Sequence, residues 1–323
     1  MTGARMAFLQ VPMAALAWLG RQGARAIAAL VFIGIAVPPV GALLKPYVTE
    51  SIFVLLVIAF LRVDPAALRA HLGRPMLVVA ATAWTTVAIP ALFGAACLAT
   101  GLEARTPELF LALMLHGVAS PMMAAPALAA VMGLDATLVL ITLVTSSALV
   151  PFTAPLFLAL FVGPGLTLAP VALGLKLLAI LAGSALAAAV IRRLAGAAAI
   201  RRHKEAIDGF NILILLVFVA AVMESVAARF LATPLLVIEL AAFSFILFFA
   251  VLGLTTLLFA KAGRDRAFAL GLMTTQRNLG LMLAATGGML PDLVWLYFAL
   301  AQFPIYVAPY LLMPLARRLG VRD

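Results

Sequence analysis

Residues 272–281, LMTTQRNLGL, lie inside an apolar segment that runs from about residue 267 to residue 290. That segment can cross a bilayer, because about 20 helical residues span about 30 Å of hydrocarbon. Its middle nevertheless holds Gln276, Arg277 and Asn278 in succession, with a glycine two residues later. An arginine at this depth costs at least about 2.5 kcal/mol unless protein or water surrounds it. The stretch therefore predicts a membrane helix that is interrupted near its centre, where freed backbone groups can bind ions or substrates.

The composition is typical of a polytopic membrane protein. Of the 323 residues, 66% are hydrophobic and 11% are charged, whereas a soluble domain has about 25% charged residues. The formal net charge of +10 is explained by arginines in cytoplasmic loops, since most of the chain has no solvated face for nucleic acid. A single cysteine, Cys97, excludes an internal disulfide and a multi-cysteine metal site. We expect no cofactor and no metal other than a sodium ion.

Ten membrane spans are predicted after an N-terminal segment of residues 1–25. Within that segment a short apolar run contains Pro12, which favours an uncleaved interfacial helix over a signal peptide. A basic loop is expected over residues 192–208, and residues 317–323 form a cytoplasmic tail. The spans lie near residues 26–44, 47–63, 76–99, 107–132, 136–162, 170–191, 209–228, 233–260, 267–290 and 292–316.

The distribution of lysine and arginine tests this layout. With both termini inside, 17 of the 22 cations lie in inner segments, and three lie in outer loops: Lys45, Arg105 and Arg229. The remaining two, Lys176 and Arg277, lie within spans. Such a bias follows the positive-inside rule. We therefore expect a multi-pass protein of a bacterial inner membrane with both termini in the cytoplasm.

Ten spans divide into two halves of five, and an odd number per half predicts two inverted repeats. The fourth and ninth spans then correspond. The fourth contains HGVASPMM at residues 116–123, where Pro121 removes a backbone donor and disfavours the helical conformation of Ser120. We expect discontinuous helices in the fourth and ninth spans that cross at their breaks. Two unrelated kinks are the alternative.

Motifs in four spans, in their order along the chain, resemble the bile acid:sodium symporter family. They are residues 117–121 in the fourth span, 151–155 closing the fifth, 276–281 in the ninth and 302–306 in the tenth. The resemblance covers nearly the whole chain from residue 26 onward. It implies an all-α secondary transporter that carries an organic anion, either bile-acid-like or a smaller carboxylate or sulfonate.

The resemblance also implies two parts that move against each other for alternating access, with substrate between them. The panel would comprise the spans within residues 26–63 and 170–228, and the core those within residues 76–162 and 233–316. Sodium coupling is implied as well, through an Ala-Ser-Asn in the fourth span and a glutamate before a Gln-Asn pair in the ninth. Here Ser120 precedes a proline, Arg277 precedes Asn278, and the glutamate position falls near Met273. Sodium-coupled, proton-coupled and ion-independent carriers or exchangers therefore all stay open.

Five residues are candidates for binding the substrate: Arg277, Asn278, Gln276, Ser120 and His116. Arg277 can hold an anionic head with its planar fork, replace sodium as a fixed cation, or pair with carbonyls at a half-helix end. His116 is either a hydrogen-bonded packing residue or a proton relay.

Candidates for coupling an ion are Ser120, Asn278, Thr142, Thr145, Ser146, Thr274, Thr275 and Glu239. The hydroxyl groups can supply oxygen ligands or can bond back to their own helix. Glu239, about six residues into the eighth span, is either a protonatable coupling group or a buried counter-ion for Arg277. Trp295 and Tyr297, near the start of the tenth span, are expected in the aromatic belt.

Other protein classes fit the sequence less well. An intramembrane hydrolase needs paired aspartates or an activated nucleophile, but the aspartates fall in loops or at span ends, and Ser120 with His116 lacks an orienting acid. We therefore expect no enzyme. An arsenite carrier would be expected to use a cysteine in the fourth span, whereas Cys97 lies in the third. A non-transporting sensor stays open. The expected partners are a small organic anion and membrane lipids, not nucleic acid.

Overall fold

The computed structural model describes residues 12–22, 36, 38–62, 75–163 and 169–320, and every named element within them is a helix. The chain divides into two compact units, Met1–Val63 with Ala182–Ala228, and Asp64–Leu181 with Arg229–Asp323. The longer helices are α1 (residues 12–22), α2 (Pro38–Arg62), α3 (Pro75–Ala99), α4 (Pro107–Val118), α5 (Ala125–Val131), α6 (Ala136–Phe161), α7 (Pro170–Ala195), α8 (Lys204–Ala232), α9 (Pro234–Leu258), α10 (Arg264–Thr275), α11 (Leu279–Thr286) and α12 (Asp292–Gly320).

Seven of the described helices are long and apolar enough to cross a membrane, by length and composition: α2, α3, α6, α7, α8, α9 and α12. The chain is therefore compatible with a multi-pass membrane protein, as the composition predicted. Much of the first predicted span lies outside the described residues. The connection expected near residues 45–46 is a 3₁₀ turn, Lys45–Tyr47, within α2.

Both interruptions predicted from the sequence are present. The predicted fourth span is divided into α4, which ends at Val118, and α5, which begins at Ala125. The ninth is split into α10 and α11 by residues 276–278. Asn278 caps α11, because its side-chain oxygen accepts a hydrogen bond from Leu281 N–H at 3.0 Å.

Helix α3 contains a π-helical turn at Trp84–Ala88, in which Ile89 N–H donates to Trp84 O. The next donor in that register would be residue 90, which would reach Thr85 O. Pro90 has no N–H, so the Thr85 carbonyl has no partner from this register within α3. Single π turns are frequent at functional sites.

The segment 192–208, expected as a loop, is mostly helical, and that expectation is wrong. α7 continues to Ala195, a short helix occupies Ala197–Arg202, and α8 begins at Lys204. Alanine and arginine are strong helix formers, and this propensity prevails over the concentration of positive charge. Gly196, with φ of 79°, separates α7 from the short helix.

Two glycines bring α1 and α8 together in the first unit. Gly20 faces the backbone oxygen of Glu205, and Gly209 faces the backbone oxygen of Leu16, so closely that a Cβ at either glycine would collide. An ion pair at 2.8 Å between Arg21 and Glu205 closes the contact. Residues 12–22, in the segment where an interfacial helix was predicted, are helical, and the first 11 residues lie outside the described part of the chain.

The second unit buries α11 completely and most of α10. α10 packs against α6, α9 and α12, and every residue of α11 is buried. A helix surrounded in this way faces protein rather than lipid. Polar groups at the break between α10 and α11 can therefore be satisfied by neighbouring helices.

Candidate functional site

The two helix breaks pair with each other through their backbones. Asn278 N–H donates to Ser120 O at 2.8 Å, and Met122 N–H donates to Gln276 O at 2.5 Å. Pro121 and Arg277 face each other as an isolated antiparallel bridge. Backbone N–H and C=O groups that lose their helical partners in one break form hydrogen bonds with those of the other break. Backbone that is buried away from water requires such partners. We call residues 119–122 and 276–278 the paired break.

The side chain of Arg277 connects the paired break to α3. It is 3% exposed, and its Nη1 donates to Ala119 O at 2.7 Å and to Thr85 O at 3.3 Å, while Nη2 reaches Thr85 O at 3.4 Å. Ala119 lies just past the end of α4, and the Thr85 carbonyl is left open by Pro90. Of the three roles considered for Arg277, pairing with carbonyls is the one observed.

The structure does not bring Glu239 to Arg277. Glu239 is exposed on α9, whereas Arg277 is buried and donates to backbone carbonyls. No ion pair between described residues includes either side chain. The buried guanidinium is stabilised by carbonyl dipoles instead of a carboxylate, so the counter-ion interpretation of Glu239 has no support in this geometry.

Several buried polar atoms in the breaks and on α3 and α6 have no hydrogen-bond partner among the described residues. They are Ser120 Oγ, Thr142 Oγ1, Ser146 Oγ, Ser147 Oγ, Thr85 Oγ1 and Gln276 Oε1. Thr142 and Ser146 are fully buried and lie four residues apart, hence on one face of α6, and α6 packs against both α4 and α10. An unpartnered buried group costs about 1–3 kcal/mol. Such a set of oxygens fits a site that binds a ligand.

Three other candidate hydroxyls bond back to their own helices. Thr274 donates to Leu270 O at 2.7 Å, and Thr275 donates to Leu272 O at 2.8 Å. Thr145 lies 3.0 Å from Ile141 O and also contacts a hydroxyl of α3. These three hydroxyl groups therefore bond back to their own helices, whereas the oxygens of Ser120, Thr142 and Ser146 have no partner among the described residues.

His116 is a hydrogen-bonded packing residue in the structure. Its Nδ1 lies 2.8 Å from Tyr297 Oη, and its ring contacts those of Tyr297 and Phe93. Tyr297 is fully buried, so its ring contacts protein, whereas a residue of an aromatic belt faces lipid headgroups. Its hydroxyl finds its partner on α4. No local sequence pattern points to this pair, since 181 positions separate the two residues.

A small cavity lies beside Arg277, with a volume of about 10 Å³, close to the space of one water molecule. Its polar lining is Arg277, His116, Ser244, Thr274 and Thr275. No organic anion fits such a volume, so substrate binding here requires the surrounding helices to separate. Within the described residues, no group of three or more His, Cys, Asp or Glu could hold a metal ion.

In comparisons with known proteins, no family model and no curated sequence matches this chain. The resemblance to bile acid:sodium symporters therefore rests on the sequence motifs alone and stays a prediction. The structure itself defines a helical protein with several membrane-length helices and two interrupted helices paired at their breaks.

Proposed function

We propose that this protein is a secondary transporter that moves an organic anion across a membrane by alternating access. The observation that carries the proposal is the paired break, in which Ser120 and Asn278 join two interrupted helices among long apolar ones. Interrupted helices at membrane depth are recurring ion and substrate sites in secondary transporters. The resemblance to bile acid:sodium symporters implies the same activity.

The proposal includes ten spans in two inverted repeats, with both termini on the cytoplasmic side of a bacterial inner membrane. Ion pairs between described residues support this layout: Arg21–Glu205, Lys45–Glu224, Arg62–Asp208, Arg229–Asp292 and Arg266–Asp135. The layout assigns both members of every pair to one side, outer for Lys45–Glu224 and Arg229–Asp292, and inner for the rest. One miscounted span between two partners would have put them on opposite sides.

Arg277 is the proposed anchor for the anionic group of the substrate. Of its five N–H donors, three engage the carbonyls of Thr85 and Ala119. Nε and the second N–H of Nη2 have no partner among the described residues. These donors suit a carboxylate or sulfonate once the adjacent cavity opens, and the guanidinium stays charged at any physiological pH.

A carrier that does not require sodium is favoured by the same contacts. A sodium ion at a broken helix is held by backbone carbonyl oxygens, and Arg277 already donates to the Ala119 carbonyl at the break and to the Thr85 carbonyl of α3. In this reading the arginine is a permanent cation in place of a coupling ion.

A sodium-coupled symporter is the second candidate, and a specific observation favours it. The oxygens of Ser120, Thr142 and Ser146 are buried without partners, and such atoms are suitable ligands for a hard cation. Glu239, the candidate for proton coupling, is exposed and has no comparable geometry.

Counterflow in proteoliposomes tests the transport activity itself. Liposomes with purified protein are preloaded with an unlabelled carboxylate or sulfonate, including bile salts, and uptake of the labelled anion is measured. We expect accumulation above that of protein-free liposomes, and its loss in Arg277→Ala. The exposed Arg318→Ala serves as the control. Absence of counterflow for every anion, with monodisperse and thermally stable protein, would contradict the proposal and favour a sensor.

A further inference from the structure

Four cations in the first unit do not belong to the proposed transport site. Arg193, Arg201, Arg202 and Lys204 are all exposed, and none of them forms an ion pair with a described residue. They occupy the end of α7, the short helix Ala197–Arg202 and the start of α8. We call these four residues the basic cluster.

The acidic groups near the basic cluster in sequence are already engaged by other arginines. Glu205 pairs with Arg21 at 2.8 Å, and Asp208 pairs with Arg62 at 2.6 Å. The neighbouring Arg192 donates to two carbonyls in the last turn of α2, at 2.7 and 3.2 Å, where a cation complements the helix dipole. The four charges of the cluster therefore remain available to an anionic partner.

An apolar helix face ends next to Arg193, the first residue of the basic cluster. Leu186, Val190 and Leu194 follow one another at four-residue intervals on α7, and are 67%, 47% and 82% exposed. Residues at this spacing share one face of a helix. We call them the apolar stripe. The stripe ends at Leu194, beside Arg193, and the chain then turns at Gly196 into the short basic helix.

We infer that the apolar stripe and the basic cluster together bind an anionic phospholipid. The acyl chain lies along the stripe, and the phosphate is held by the cluster. The combination selects this ligand, because a nucleic acid or an acidic protein would use the charges but leave the stripe uncovered. Trp18 on α1 is 58% exposed in the same unit, as suits a side chain at the level of lipid headgroups.

Native mass spectrometry of the full chain in detergent tests this inference. The protein is incubated with equal amounts of phosphatidylglycerol and phosphatidylcholine, and the two lipid-bound populations are compared. We expect the wild type to prefer phosphatidylglycerol, and the triple variant Arg201→Gln/Arg202→Gln/Lys204→Gln to lose that preference by about fivefold for each cation removed. The control variant Lys261→Gln/Arg317→Gln/Arg318→Gln also removes three exposed cations, and it should keep the preference.

Two further arms separate lipid recognition from simpler explanations. Leu186→Gln/Leu194→Gln should weaken the binding of both lipids, because it interrupts the apolar stripe. Inorganic phosphate at millimolar concentration should not displace phosphatidylglycerol. Equal loss of preference in both triple variants, equal binding of the two lipids by the wild type, or displacement by inorganic phosphate would each overturn the inference. All of these outcomes are independent of whether the protein transports an anion.

Discussion

Two polar side chains at the candidate site donate hydrogen bonds to backbone carbonyls that lack a donor within their own helix. In each case a proline stands where the helical N–H would be. Arg277 reaches Thr85 O, which Pro90 leaves open. Gln276 Nε2 donates to Ile305 O at 3.0 Å, four residues before a proline in α12. A carbonyl buried away from water needs a donor from elsewhere in the protein. Each of these prolines therefore creates the hydrogen-bond acceptor that a buried polar side chain uses.

The first residue-scale prediction concerns the shape of the cation at position 277. Arg277→Lys keeps the charge but replaces a planar fork by a single nitrogen, which cannot hold Thr85 O and Ala119 O as the fork does. We expect a loss of about 1–3 kcal/mol in the free energy of unfolding, the cost of one unpaired buried group, together with loss of counterflow. Thermal unfolding in detergent measures the first effect. Wild-type stability and uptake in this variant would exclude the bridging role, and Arg318→Lys is the control.

The second residue-scale prediction concerns Pro90. Pro90→Ala supplies an N–H within α3 that can donate a hydrogen bond to Thr85 O, the carbonyl now bonded to Arg277. The destabilisation caused by Arg277→Ala should therefore be smaller in the Pro90→Ala background. Residues that share a partner show coupling energies of about 0.5–3 kcal/mol. A double-mutant cycle of unfolding free energies measures this coupling, and strict additivity would contradict the shared-carbonyl explanation.

At the residue scale the sequence predicted the place of the break but not the partners. A row of Gln276, Arg277 and Asn278 inside an apolar segment was sufficient to locate it. The role of the Thr85 carbonyl could not be predicted, because a proline shows only that one of the preceding carbonyls lacks a helical donor. The π register decides which one. Likewise, the pairing of His116 with Tyr297 depends on packing between α4 and α12, which no local pattern specifies.

At the scale of elements, glycine controls how closely α1 approaches α8. Gly209→Ala places a methyl group against the backbone of α1, where no rotamer change can relieve the collision. We expect a destabilisation of about 1–3 kcal/mol, typical of overpacking, and a change in the fluorescence of the exposed Trp18. Gly253→Ala is the matched control, because nothing lies within 4 Å of its added Cβ. Equal melting temperatures of the two variants would contradict the close contact.

The elements were predicted well where the signal was an interruption and poorly where it was charge. Pro121 in the fourth span and the polar triplet in the ninth both marked true helix ends. The basic segment after α7 was expected as a loop because of its arginines. Its alanines nevertheless support a helix up to Gly196 and again from Ala197.

At the scale of the whole molecule, the proposed ten-span layout predicts which exposed residues face which side. In a Cys97→Ala background, Arg105→Cys should react with a membrane-impermeant maleimide in intact cells. Arg318→Cys should react only after lysis, because the layout places it inside. Both side chains are exposed in the structure. Labelling of both in intact cells, or of neither, would show that a span between them was miscounted.

The proposed layout rests on the positive-inside bias, which is summed over many loops and tolerates single errors. The ion pairs are consistent with the layout, since it assigns Arg266 and Asp135, which meet across 131 positions, to the same side. Substrate identity did not follow, because specificity depends on the shape of a cavity. The cavity beside Arg277 holds about one water molecule in this conformation.

The most direct test of the central claim is the initial rate of uptake of a labelled organic anion into proteoliposomes, in sodium chloride and in choline chloride, for the wild type and for Arg277→Ala. A transporter with Arg277 as a permanent cation should take up the anion equally fast in both salts, and the variant should be inactive in choline. Uptake by the wild type that is abolished when choline replaces sodium would contradict this claim and assign the oxygens of Ser120, Thr142 and Ser146 to a sodium ion.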